Sequence, residues 1–314
     1  MHKITTHLSL AAVLCCSAAF PAIAHAGPEQ EIEELTSRMK KYGETADLLT
    51  ERAIEYRVLG KLAEATNDLE RAAVLEPKSL PIHRELALVL FLNGKAGDAI
   101  ATVTRGLTLK TGEPADLASL RILRAEIFRS QNENRKALAD CEAALRLNKQ
   151  NPDWYLLRSD IQQRLKLSKE RLAGIEEGVR ATGAGILEIE RVEALLDAAQ
   201  FQAALASIET ELADWRIKSS WLIRRARARI GLGQKAEAEA DLKAALREIA
   251  TRLNPKTPDV PLLLDKALIH ELLGENKDAL RTYEEARDKG AGDSVNEKIK
   301  ALKESALSAP SPKL

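Results

Sequence analysis

The sequence predicts an all-α fold, a right-handed superhelical solenoid of stacked helix–turn–helix repeats. Three observations carry this expectation. Ala, Leu, Glu, Lys and Arg supply 176 of the 314 residues, and these favour helices. With 16 Gly, 11 Pro and 4% aromatic residues, the chain has too few turn and strand formers for an all-β architecture. Small and apolar residues also recur in one register through most of the chain, with a period of about 34 residues that marks stacked helical units.

The charge balance narrows the class of partner. Lys plus Arg is 47 and Asp plus Glu is 47. The basic surplus that grips nucleic acid or an anionic membrane is absent. The low aromatic content also argues against a base-stacking surface. No nucleic-acid partner is expected.

Residues 1–26 read as a secretion signal. Met1 to His7 carry Lys3 and no acid, and Leu8 to Ala24 are largely apolar. Ala24-His25-Ala26 then supplies a small-x-small cleavage site before Gly27, the pattern of an exported chain. The expected location is periplasmic or secreted. A membrane anchor is the weaker alternative, because the apolar run is short and Pro21 interrupts it. A lipoprotein is weaker still, because Leu14 precedes Cys15 where a small residue is expected. No later stretch reaches the roughly 18 continuous apolar residues of a span, so no membrane span remains after cleavage. Cleavage would leave Cys141 alone, without an internal disulfide. Its register makes it a small buried hydrophobe rather than a reactive thiol.

Residues 27–45 read as a leading helix. Glu29, Glu31, Glu33 and Glu34 precede Arg38, Lys40 and Lys41, acid early and base late, as a helix dipole prefers. About seven repeats then occupy residues 46–293. In the first, Ala53, Tyr56, Gly60, Ala65, Leu69, Ala72 and Pro77 take positions 8, 11, 15, 20, 24, 27 and 32. From Leu80 the same positions, through 27, hold Ala87, Leu90, Gly94, Ala99, Val103 and Gly106. From Ala118 they hold Ala125, Phe128, Asn132, Ala137, Cys141 and Ala144. From Ser219 the series runs Ala226, Arg229, Gly233, Ala238, Leu242, Ala245, and from Val260 it runs Ala267, His270, Gly274, Ala279, Tyr283, Ala286. Units beginning at Pro152 and Gly185 fit less well, with Lys166 and Ala199 where the others carry Gly or Asn.

The small residues at 8, 20 and 27 let two helices approach, and 11 and 24 fill the space between them. Gly or Asn at 15 suits a left-handed turn ending the first helix. One such pair leaves an apolar face open, so neighbours must stack. Pro114 to Leu117 read as a short insert after Lys110-Thr111-Gly112-Glu113, and Leu253 to Asp259 as a longer loop. Ser294 to Leu307 fit a capping helix, and Ala309-Pro310-Ser311-Pro312 a frayed tail within residues 294–314.

This register resembles the tetratricopeptide repeat family over Ala46 to about Asp293. The family's usual Trp at position 4 is missing. A HEAT-like array is the alternative, but its period of roughly 40–47 residues fits worse. The resemblance implies a groove lined by the first helix of each unit, through positions 2, 5, 9, 12 and 13. Those positions hold Arg57 in the first unit and Arg84 and Phe91 in the second. They hold Glu126 and Arg129 in the third, Asp160 and Arg164 in the fourth, Glu193 in the fifth and Arg227 in the sixth. Ile122, Leu156, Ile189 and Ile223 would add an apolar stripe. Phe91 is the expected anchor. Some relatives grip a C-terminal carboxylate through a Lys and Asn constellation. Position 9 here has no Asn, which disfavours that activity.

No enzyme activity is expected. His83 and His270 fall in the second and seventh units, too far apart to share a site, and read as packing residues. Cys141 has no His in register with it. No HExxH, CxxC pair, P-loop or GxSxG occurs. Gly231-Leu232-Gly233 is an inter-helix turn, and Glu176-Glu177 and Glu284-Glu285 lie on solvated faces. No metal or cofactor is expected. The expected role is a non-catalytic protein-interaction scaffold or adaptor of the cell envelope, binding a protein or peptide partner. The alternative is an accessory subunit that holds or regulates a partner enzyme. A ligand pocket near Arg129 and Arg164 would favour small-molecule binding instead, and exposed solenoid ends would favour self-association.

Overall fold

In the computed structural model, residues 27–109, 112–214, 216–254, 256–292 and 294–308 are described. Residues 1–26, expected to be a secretion signal, and those from Ala309, expected to be a frayed tail, lie outside them, as do Lys110, Thr111, Pro255 and Asp293. The described residues form sixteen α-helices and no strand. The fold is the all-α helical repeat that the register predicts.

The chain divides into two compact units. The first ends at Lys95 and holds α1 (Pro28–Tyr42), α2 (Ala46–Val58), α3 (Leu62–Leu75) and α4 (Leu80–Leu92). The second begins at Ala96. It holds α5 (Ala96–Thr108), α6 (Pro114–Ser130), α7 (Asn134–Leu147), α8 (Pro152–Arg164), α9 (Ser168–Thr182), α10 (Ile186–Asp197) and α11 (Phe201–Asp214). It continues through α12 (Ser219–Gly231), α13 (Lys235–Arg252), α14 (Val260–Leu273), α15 (Asn276–Asp288) and α16 (Ser294–Ser308). Within each unit, consecutive helices pack in sequence. Among the described residues, no helix is long and apolar enough to cross a membrane.

Local chemistry sets the helix starts. Thr45 and Asp259 accept from the amides of Leu48 and Leu262, each at 3.2 Å, as N-caps do. Proline opens α1, α4, α6, α8 and α14, where its missing N–H costs nothing. At α6 this corrects the expected insert: Pro114 to Leu117 form the helix's first turn.

The turn is the same at all seven residues assigned to position 15. Gly60, Gly94, Asn132, Lys166, Ala199, Gly233 and Gly274 have φ between 56° and 78°. In each, the next residue's amide donates back to the position-11 carbonyl at 2.8–2.9 Å, a Schellman closure. Lys166 and Ala199 therefore hold the backbone that glycine holds elsewhere. Ala53, Ala65, Ala87, Ala125, Ala137, Ala204, Ala267 and Ala279 are fully buried at the small positions.

A second register, at positions 7 and 23, joins the two helices of a repeat. Arg52 grips Asp68 with Nε at 2.7 Å and Nη2 at 2.8 Å. Arg124 grips Asp140 at 2.6 and 2.8 Å, and Arg225 grips Asp241 at 2.9 and 2.6 Å. Each is a bidentate fork between partners sixteen residues apart. In the fourth repeat Gly174 stands at position 23. There Arg158 donates to the Gly174 carbonyl at 2.7 Å and to Glu177 at 3.1 Å. A Cβ at Gly174 would sit 2.9 Å from that guanidinium, so glycine makes the room the arginine occupies.

Candidate functional site

In the second unit, the first helices of successive repeats touch directly: α6 meets α8, α8 meets α10, α10 meets α12 and α12 meets α14. Helical periodicity puts positions 5, 9, 12 and 13 on one side of that layer. Side chains therefore meet across repeats at spacings of 31 or 34 residues, about one period.

Arg129 Nη1 on α6 donates to Asp160 Oδ2 on α8 at 3.0 Å. Arg164 Nε donates to the same oxygen at 3.0 Å. On α10, Glu193 accepts from Arg224 Nε and Arg227 Nη1 of α12, both at 2.7 Å. Glu126 is exposed on α6. Arg129, Asp160, Arg164, Glu193 and Arg227, all expected in this unit's groove, thus meet in two lateral clusters. The arginines there keep between 20% and 43% of their side-chain surface exposed, so they are fixed yet reachable. Of the expected apolar stripe, Ile122 and Ile223 are buried between helices, while Leu156 and Ile189 are half-buried.

In the first unit, Glu85 sits between two of the expected residues. Arg84 Nη1 lies 2.6 Å from it and Arg57 Nε 3.5 Å. Phe91 is half-buried on α4. Val58 and Leu92 occupy position 13 of their repeats and are both more than half exposed, leaving apolar surface beside these charges.

A third cluster in the second unit escaped the sequence reading. Arg171 stands at position 20 of the fourth repeat, where the others place a small residue. It is 3% exposed. Its guanidinium crosses to α10, where Nη2 donates to Glu190 Oε1 at 2.6 Å and Nη1 bonds Asp197. Ser159 Oγ accepts from Arg171 Nε at 2.9 Å and donates to Glu190. Gln163 donates to Asp197 at 3.1 Å. The signal was legible as a charged residue breaking the small-residue pattern of position 20, with Ser159 replacing alanine at position 8.

The remaining reactive groups are held in packing roles. His83 is buried, with Nδ1 2.8 Å from the Ser79 carbonyl, and His270 Nδ1 lies 2.6 Å from Glu275. Burial pushes the Cys141 thiol up to about 12. Glu177 departs from the solvated face expected of it. Burial raises its carboxyl, but Arg158 and Lys149 together hold it below its usual value. On α14, burial raises the Asp265 carboxyl against the pull of Arg224 and Arg252. Among the described residues, no group of three or more metal-ligating side chains could hold an ion. A cavity of about 390 Å³ lies where the ends of α12 and α14 meet α13, lined by Ile230, Leu242, Leu272, Leu273 and Lys235. Arg129 and Arg164 do not frame it; they meet on Asp160 instead.

Residues 50–114 match the tetratricopeptide repeat family. A tetratricopeptide repeat protein from Parabacteroides merdae superposes with a TM-score of 0.60 at 17% identity, over 87% of this chain and 99% of that one. The chain has the tetratricopeptide-repeat fold. YrrB, described as a tetratricopeptide repeat protein with an unusual peptide-binding site, is similar at TM-score 0.50 and 14% identity. That match covers 57% of this chain and 91% of YrrB. Yeast Tom70 also scores 0.50, at 17% identity, over 89% of this chain and 60% of its own. No curated protein matches in sequence. Tetratricopeptide-repeat proteins generally mediate protein–protein interactions, and the lateral charge clusters lie on the first-helix layer of this fold.

Proposed function

We propose that the chain is a non-catalytic scaffold of the cell envelope that holds a segment of a partner protein against its first-helix layer. Arg57, Arg84 and Phe91 would contact the partner in the first unit. Glu126, Arg129, Asp160, Arg164, Glu193 and Arg227 would do so in the second. The supporting observation is that the first helices of the second unit abut and hold charges of both signs in fixed, partly exposed clusters. Pre-ordered side chains lose little entropy on binding, and fixed charges set register. The envelope assignment, with a periplasmic or secreted destination, rests on the signal-like composition of residues 1–26.

The test is a crosslinking pull-down from intact cells, comparing the native chain with a Phe91→Ala, Arg129→Ala double variant. The expected result is a defined protein partner that the folded double variant loses. Equal capture of the same partner by both would refute the assignment of these residues.

A further inference from the structure

Two successive repeat junctions in the second unit fill the same crevice differently. Where the fifth repeat meets the sixth, Phe201 stands at position 17, the first residue of α11. Its ring lies against Gly231, position 13 of α12, and a Cβ at Gly231 would collide with it. Phe201 packs there on the apolar core that holds Ala204, Ile208 and Trp221. The crevice between these two repeats is thus occupied by the chain's own aromatic ring.

One repeat further on, position 17 is Lys235 and position 13 of the following helix is Leu272. Lys235 is exposed, and no aromatic side chain enters the crevice. The cavity of about 390 Å³ opens at this junction, with Lys235 and Leu272 in its wall. Ile230, Leu242 and Leu273 supply apolar lining, and Ile230 stays 42% exposed. An apolar cavity of about 150 Å³ already accepts benzene, so space does not limit a ring here. The charged lining is Lys235, Lys243, Glu239 and Glu275, two of each sign. Lys243 donates to Glu239 at 2.6 Å, and His270 Nδ1 lies 2.6 Å from Glu275. A charged occupant would meet repulsion as well as attraction, which favours a neutral one.

We infer that this cavity is a binding site for a neutral, single-ring aromatic small molecule, seated where Phe201 sits one repeat earlier. The ring displaces water from Ile230, Leu242, Leu272 and Leu273, and removal of that apolar surface from solvent drives binding. A crevice between stacked repeats admits a flat ring more readily than a puckered one, as the seat of Phe201 against Gly231 illustrates. The site is separate from the scaffold reading and does not depend on it.

Titration of the full chain with benzyl alcohol, followed through the methyl resonances of its isoleucines and leucines, tests this. A bound ring shifts nearby methyl groups by its ring current. Ile230, Leu272 and Leu273 should shift saturably, with a midpoint on the order of 1 mM for so small a ligand. Phenylacetate and benzylamine should bind no tighter, and cyclohexylmethanol should bind more weakly. Lys235→Phe, a change at an exposed residue, supplies the crevice with a ring of its own and should weaken binding at least about tenfold. Phe201→Ala empties the preceding crevice and should create a second site, reported by Leu196 and Leu232. Both variants are matched to the native chain by circular dichroism. The inference is overturned by any of four results: no saturable shift at the three methyl-bearing residues, tighter binding of either charged analogue or equal binding of cyclohexylmethanol, native affinity in Lys235→Phe, or no second site in Phe201→Ala. None of these bears on the scaffold reading, which the pull-down decides.

Discussion

The Arg124–Asp140 fork is the sharpest test of how a single repeat is held together. Asp140 is 4% exposed and accepts two short bonds from Arg124, plus a longer one from Arg121 at 3.3 Å. Asp140→Ala leaves the Arg124 guanidinium with Thr104 as its remaining side-chain acceptor. Stripping one partner from a buried pair costs about 3–5 kcal/mol. Arg124 retains 18% exposure, so water offsets part of this and about 3 kcal/mol is expected. Replacing both partners, as Arg124→Met with Asp140→Ala, removes the stranded charge. A coupling energy of about 2 kcal/mol between the sites follows from two charge-assisted bonds discounted for exposure. Cys141, adjacent to Asp140 and fully buried, supplies the probe. Its labelling by a thiol reagent, located by mass spectrometry, reports local opening of this repeat. Asp140→Ala should accelerate labelling about a hundredfold, and the double variant should recover much of that. If the two single effects add, with coupling below about 0.5 kcal/mol, the fork is not the clasp its geometry describes.

Three further outcomes are expected. Ala199→Gly relieves a left-handed L-residue costing about 1–2 kcal/mol against a smaller unfolded-state entropy loss, so Tm should rise by about 2 °C in thermal circular dichroism; an unchanged or lower Tm would contradict this. In the native chain the buried Cys141 thiol should resist reagents at neutral pH and react once urea unfolds the repeat; fast native labelling would contradict its burial. Burial raises the Asp265 carboxyl, so its contribution to stability is full below the unfolded carboxylate's pKa and declines as pH rises through the raised value. Asp265→Asn should therefore raise Tm near neutral pH and gain much less in acid, and an equal gain at both would refute the desolvation argument.

The repeat register was readable because position 15 and the alanines at 8 and 20 answer to backbone and packing demands that admit few residues. The weaker units from Pro152 and Gly185 keep the same turn because the Schellman closure needs a backbone angle, which Lys166 and Ala199 supply at some strain. The Arg–Asp fork was equally legible as a recurrence at positions 7 and 23, in Arg52, Arg124 and Arg225. It is easily passed over because charge on a helix usually means solvent. The lateral clusters were harder to read. Arg129 and Asp160 are 31 residues apart, and only direct contact between α6 and α8 makes them neighbours. Arg171 carried a local signal, a charge where packing wants alanine, but its acceptors sit on the next repeat.

On the proposed function, the first-helix layer carries binding and the second helices do not. Photo-crosslinking side chains at single positions would test it most directly in intact cells. Leu92 on α4 and Gln163 on α8 represent the first helices, and Val74 on α3 and Lys243 on α13 the second; all four are exposed. Discrete protein adducts are expected from Leu92 or Gln163 and none from Val74 or Lys243. Adducts confined to Val74 and Lys243, or formed equally from all four, would contradict it.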